Sequence, residues 1–131
     1  MHKAIRRPDG RELEIAVDEL LEALRKFRDE RDWAQFHTPK DLAVSVSIES
    51  GELLELFQWR HDGHNIGELD VANVADEASD VLIYTLLLFD RLGLDPKNEV
   101  LAKIALNARR FPVEKSYGVP SAFTKHARKH G

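Results

Sequence analysis

Residues 47–59, SIESGELLELFQW, read as the middle of an amphipathic helix that carries the wrong side chains on its inner face. Leu42, Val46, Leu53 and Leu56 follow the spacing of a buried stripe. Glu49 falls at the centre of that stripe. Glu52 lies one turn on and only ~60° away, because each helical residue advances about 100°. A carboxylate aimed at a core is costly unless something there receives it.

Working outward, Thr38-Pro39 gives an N-cap followed by proline at the first helical position, with Asp41 in the first turn. The helix that starts there is expected to run to about Arg60. HDGHNIGE is a loop, and Asp62-Gly63 marks a turn. A further helix is expected from about Leu69 to Leu92, closed by Gly93 at C′. Before these two, Val17, Leu20, Leu21, Leu24 and Phe27 share one face of a helix from about Ala16 to Asp32. Asp95-Pro96 opens a fourth helix that ends before Pro112. Residues 1–15 read as an arm with an RPDG turn, and 113–131 as loop and weakly basic tail.

Glycine and proline lie mostly between these segments. The expected fold is therefore all-α, a four-helix bundle in one domain over 1–131 with its core at about 17–112. VLIYTLLLF, residues 81–89, is apolar nearly all round, with Thr85 its one clearly polar member. A helix apolar on every side must be surrounded, so a homo-oligomer is expected with this helix near the interface.

Composition narrows the function. The chain has 131 residues, 43% of them hydrophobic, and a net charge of −4. That balance does not suit a protein that wraps nucleic acid polymers. No cysteine is present, which removes disulfides, thiolate catalysis and zinc–cysteine sites and permits a cytoplasmic setting. The N-terminus lacks an apolar signal-peptide core, and no run approaches the ~20 residues of a membrane span.

The third helix repeats the motif of the second. Val74, Val81 and Leu88 mark its core meridian; Glu77 sits close to that line and Asp80 one turn on. A short loop joins the two helices, so both acidic pairs should face one space. One like-charge pair at 4 Å costs ~4 kcal/mol at an effective dielectric of 20. Protonation or cations must relieve it. Oxygen-only ligands select hard ions, Mg²⁺ or Mn²⁺ as substitute. The chain has no E-x-x-H, which argues against a ferritin-like di-iron site.

Mg²⁺ is commonly shared between carboxylates and substrate phosphates. On the fourth helix Lys103, Asn107 and Arg110 fall on one line, a pattern suited to a polyphosphate, although basic residues near a helix C-terminus also complement its dipole. Trp33, Phe36 and His37 cluster between the first two helices. Trp59 is seven residues after Glu52 and Tyr84 seven after Glu77, so a planar base could stack among these aromatics. His61 and His64 belong to the loop, and His126 and His130 to the tail.

ERDWAQFHTPKDLAVSVSIESGELLELFQW, DEASDVLIY and KIALNARRFP together resemble the MazG-like nucleotide pyrophosphohydrolases, in particular the dCTP pyrophosphatase branch, over about residues 17 to 118. The resemblance implies a four-helix core assembled as a dimer or tetramer. It also implies Mg²⁺-dependent cleavage of a nucleoside triphosphate, dCTP or a modified relative, to the monophosphate and pyrophosphate. Glu49, Glu52, Glu77 and Asp80 would hold metal, with Glu49 and Glu52 catalytic. Trp33, Trp59 and Tyr84 would form the nucleoside pocket. Lys103, Asn107 and Arg110 would meet phosphates or close the site. The eukaryotic dCTP enzymes carry a histidine on the first helix; Leu24 stands at about that place here. The alternatives are a dUTPase-like or broad-specificity triphosphatase, and a non-catalytic helical module that docks a basic partner in an acidic groove.

Overall fold

The structure, a computed structural model, describes residues 8–9, 13–60, 67 and 69–119. Most of the expected N-terminal arm, the Asp62-Gly63 turn with His61 and His64, and the tail with His126 and His130 lie outside the described residues. All regular elements among the described residues are helical. They are α1 (Leu13–Glu30), a 3-10 turn (Trp33–Phe36), α2 (Pro39–Glu55), α3 (Val71–Arg91), α4 (Pro96–Arg110) and a single-turn α5 (Val113–Ser116) where loop was expected. No described helix is long and apolar enough to cross a membrane. The chain divides into two compact units, Met1–Asp95 and Pro96–Gly131.

Local chemistry sets the helix ends in the first unit. The Thr38 hydroxyl accepts from the Asp41 amide at 3.1 Å, and Pro39 occupies N1. Asp70 caps α3 by accepting from the Asn73 amide at 3.2 Å. At the other end Gly93 takes φ 70°, and the Leu94 amide reaches back to the Phe89 carbonyl at 2.9 Å. That is the glycine-terminated closure the sequence announces. Removing the first of these caps with Thr38→Ala should cost about 1 kcal/mol, read as a lower urea midpoint with an unchanged slope.

The end of α2 departs from expectation. Past Leu54 the bonds tighten to three-residue spacing: Leu56 to Leu53, Phe57 to Leu54, Gln58 to Glu55. The helix stops at Glu55, not near Arg60, and its register is lost before Trp59. Phe57 and Trp59 are poor helix formers, and tertiary packing does not hold the segment helical.

α2 and α3 form the most extensive helix pair of this unit, and α1 packs on α3 and on the 3-10 turn. The buried apolar side chains among the described residues are Leu21, Leu42, Leu86 and Leu87, with Leu42 only 1% exposed. Thr85, the polar residue in the apolar run, donates its hydroxyl to the Val81 carbonyl at 2.8 Å, so the helix satisfies it internally. Large apolar side chains remain in solvent: Val44 and Ile48 on α2, Leu82 on α3, Leu20 and Phe27 on α1.

In the second unit, α4 begins with Pro96 and carries Glu99 in its first turn and Arg109 and Arg110 in its last, matching the helix dipole at both ends.

Candidate active site

Glu49 and Glu52 of α2 and Glu77 of α3 converge. Each offers a carboxylate oxygen, and the three lie within 4.8 Å of one another. The Oε2 atoms of Glu49 and Glu77 are shut off from solvent without a hydrogen-bond partner, although neither residue is buried as a whole. No lysine or arginine of the described residues forms an ion pair with any of the three. Loss of solvation pushes the Glu49 carboxyl up to about 7, with further contributions from its hydrogen bond to Glu52 and from the charges of Glu52, Asp80 and Glu77. Glu77 is raised for the same reasons, desolvation first and then Glu52, Asp80 and Asp76. Asp80 is outside the trio but close enough for its charge to act on both.

Asp80 also faces a second feature. Together with Ile83, Tyr84 and Leu87 it forms one row along α3 that lines a pocket of about 240 Å³. Leu24, Phe27 and Arg28 of α1 and Trp33 and His37 of the connecting turn complete the lining. Trp33 reaches it because α1 stops at Glu30 and Asp32 turns the chain through a left-handed conformation, φ 52°. Aspartate tolerates that region better than most residues, and Gln35 braces it by donating to the Asp32 carbonyl and carboxylate at 3.0 Å each. Phe27 then meets Trp33 edge-to-face, centroids 5.6 Å apart, with the Arg31 guanidinium 3.8 Å above the Phe27 ring. The His37 Nδ1 is closed to solvent and unpartnered. Burial, then the nearby Arg28 charge, holds its imidazole below the usual range and therefore neutral near pH 7.

One ion-pair group borders the pocket. Asp90 accepts from Arg25 Nε at 2.9 Å and from Arg28 Nη1 at 2.8 Å. Burial alone would raise the Asp90 carboxyl, but the two guanidinium bonds outweigh it and hold the group below the usual carboxylate range. Neither arginine nor Asp90 stands out from the sequence, since the pairing joins residues 62 positions apart.

Trp33, His37, Tyr84 and Asp80 thus come together in the pocket, and Glu49, Glu52 and Glu77 beside Asp80. Trp59 does not join them: it lies past the end of α2 and is 86% exposed. Lys103, Asn107 and Arg110 stand on α4 in the second unit, with Asn107 half-buried, the other two exposed, and the Arg110 guanidinium 5.5 Å from the Phe111 ring. The pocket and the glutamate group are built from the first unit alone.

The donor set fits a hard divalent cation. It is all oxygen, it converges, and two of its buried oxygens have no other partner.

An all-helical chain with converging carboxylates on paired helices beside an aromatic pocket falls into a known class: the chain belongs to the MazG-like family, which it matches over residues 44–125. It is similar to dCTP pyrophosphatase 1 of Bos taurus, 36% identical over 115 residues, covering 85% of this chain and 68% of that one. It is 39% identical over 103 residues to dCTP pyrophosphatase 1 of Homo sapiens, covering 76% and 61%. Among solved structures it resembles a pyrophosphatase from Archaeoglobus fulgidus, with a TM-score of 0.69 and 40% identity over 86% of this chain and 98% of that one.

Proposed function

We propose that the protein is a Mg²⁺-dependent pyrophosphohydrolase that converts a nucleoside triphosphate, dCTP or a modified relative, to the monophosphate and pyrophosphate. The enzyme class, nucleotide pyrophosphohydrolase, rests on the family and on the activity named in its relatives. The single observation that carries the reading in this chain is the pair of shielded, unpartnered carboxylate oxygens on Glu49 and Glu77, one step from an aromatic pocket.

In this reading Glu49, Glu52, Glu77 and Asp80 hold the metal. When bound, Mg²⁺ offsets the charge of the triphosphate and makes a bound water more acidic. Glu52 stands beside both Glu49 and Glu77 and helps to raise the carboxyls of both, so it is the carboxylate assigned to orient or deprotonate the attacking water. Trp33 and Tyr84 flank the nucleoside, and apolar Leu24, Ile83 and Leu87 keep water from its faces. A pocket of about 240 Å³ is below the ~300–1,000 Å³ typical of sites for drug-sized ligands, so it suits a base or nucleoside and leaves the phosphates to lie toward Asp80. Phosphate contacts from Lys103, Asn107 and Arg110 remain part of the proposal on the strength of their alignment on α4.

Assembly as a homo-oligomer of single-domain, four-helix subunits completes the reading. It is supported by the exposed Val44, Ile48 and Leu82, apolar side chains on the two helices that carry the glutamates. Light scattering should then give a mass of two or four chains.

The decisive experiment incubates the protein with Mg²⁺ and a panel of canonical and modified triphosphates and separates the products. Monophosphate with pyrophosphate is expected. Diphosphate with orthophosphate, or no turnover, would overturn the assignment.

A further inference from the structure

The pocket that receives the nucleoside in the reading above has one cationic wall, and that wall is held in place. Arg28 lines the pocket, and its side chain is only 15% exposed. Its Nε donates to Asp29 at 2.8 Å and its Nη1 to Asp90 at 2.8 Å. Asp90 is steadied in turn by Arg25, with Nη2 2.8 Å from the same carboxylate. The guanidinium is therefore fixed in orientation, and none of these bonds uses its Nη2 amino group.

Position adds to this. Asp80, Ile83, Tyr84 and Leu87 follow one another along α3 on the pocket side, and Asp90 continues that row. From Asp80 to Asp90 the helix rises about 15 Å, at ~1.5 Å per residue. Phosphates drawn to the Asp80 end leave the far edge of the base at the end where Arg28 is pinned.

A guanidinium only donates hydrogen bonds, and with Nε and Nη1 engaged on carboxylates the Nη2 amino group is the donor that remains for a pair of neighbouring acceptors. Among pyrimidines, cytosine presents such a pair, N3 and O2. Uracil and thymine place an N3–H donor between their two carbonyls, where it would meet donors. His37 lines the same pocket, and a neutral imidazole can accept a hydrogen bond, which suits the remaining cytosine substituent, its 4-amino group.

We propose that Arg28 is a specificity-determining residue of the pocket, positioned by Asp90 and Arg25, and that it selects a pyrimidine whose ring edge offers adjacent acceptors, cytosine over uracil or thymine. This rests on the pocket being the nucleoside site of a pyrophosphohydrolase.

The test measures kcat and KM for dCTP and dUTP with Mg²⁺, and the affinities of dCMP and dUMP by calorimetry, in the full-length protein and its Arg28→Ala, Arg28→Lys and Asp90→Asn variants. Arg28→Lys keeps a cation opposite Asp90 and loses the fixed Nη2 donor, so it covers the case in which Arg28→Ala does not fold. The dCTP:dUTP ratio of kcat/KM should fall roughly tenfold or more in both Arg28 variants, mainly through KM. It should fall in the same direction and by less in Asp90→Asn. The dCMP:dUMP affinity ratio should follow. A merely structural role would weaken both nucleotides together and leave the ratios unchanged; unchanged ratios in Arg28→Lys overturn the proposal. A wild-type protein that prefers dCMP and cleaves no triphosphate overturns the reading of the reaction and not the role of Arg28. One that cleaves triphosphates without preferring cytosine overturns the role of Arg28 and not the reaction.

Discussion

Glu49→Gln is expected to lower triphosphate cleavage by about 10²- to 10⁴-fold, measured as kcat/KM at saturating Mg²⁺. The substitution keeps the size of the side chain and removes the charge. An amide holds a divalent cation far less well than a carboxylate, and the group beside Glu52 changes from an acid to a neutral donor and acceptor. The second half of the expectation runs the opposite way. In the absence of metal the variant should be at least as stable as the wild type at pH 8, because it deletes one member of a crowded set of like charges. Loss of activity with a retained or higher melting temperature separates a binding role from a packing role. A variant that cleaves at the wild-type rate would remove Glu49 from the site.

Metal and proton should compete to stabilise the same group. The Glu49 carboxyl is pushed up to about 7, and Glu77 is also raised above its ordinary value of 4.5. The folded chain therefore holds these protons more tightly than the unfolded chain does. Their contribution is fully present below pH 4.5; that of Glu49 is lost as pH rises through about 7, and that of Glu77 as pH rises above its ordinary value. His37 acts in the other direction: its depressed value favours the fold above pH 6.5, and that support is lost as pH falls. The clearest window is thus from pH 6.5 to 8, where the melting temperature of the metal-free protein should decline. Mg²⁺ should abolish the decline. At 100 times its dissociation constant a ligand adds about 2.7 kcal/mol, which for a domain of this length raises the melting temperature by on the order of 10 °C. The rise should be larger at pH 8 than at pH 6.5, since fewer protons then have to leave. A metal-free protein whose melting temperature is flat or climbs across this window would contradict the assignment of the raised groups.

Much of the local structure could be read from single residues. Thr38 with Pro39, and Gly93 after the third helix, mark helix ends through chemistry confined to one turn, and the hydrogen bonds found there are the ones such residues make. The glutamates were legible because helical periodicity assigns each position an angle, and Glu49 and Glu77 fall on apolar meridians. The same periodicity could not fix the direction of Trp59, because the rule holds only while the helix does, and α2 gives way to tighter turns after Leu54. Arg28 and Asp90 could not be singled out. Each is an ordinary charged residue on its own helix, and only the packing of α1 on α3 turns the two into a fixed wall of the pocket. Leu24 carried a different lesson: its position was visible in the family pattern, but that it lines the same cavity as Arg28 required the fold.

Asp80 belongs to both halves of the candidate site, lining the aromatic cavity and adding its field to the glutamates. Ligands that share a residue do not associate independently, and the coupling between them is reciprocal by thermodynamic necessity. Whatever factor an ion on the carboxylates contributes to the grip on a nucleotide, the nucleotide returns to the ion. With favourable coupling, a base arriving alone and an ion arriving alone are both released more readily than the pair. Joint occupancy, rather than either partner singly, would then be the state the protein retains.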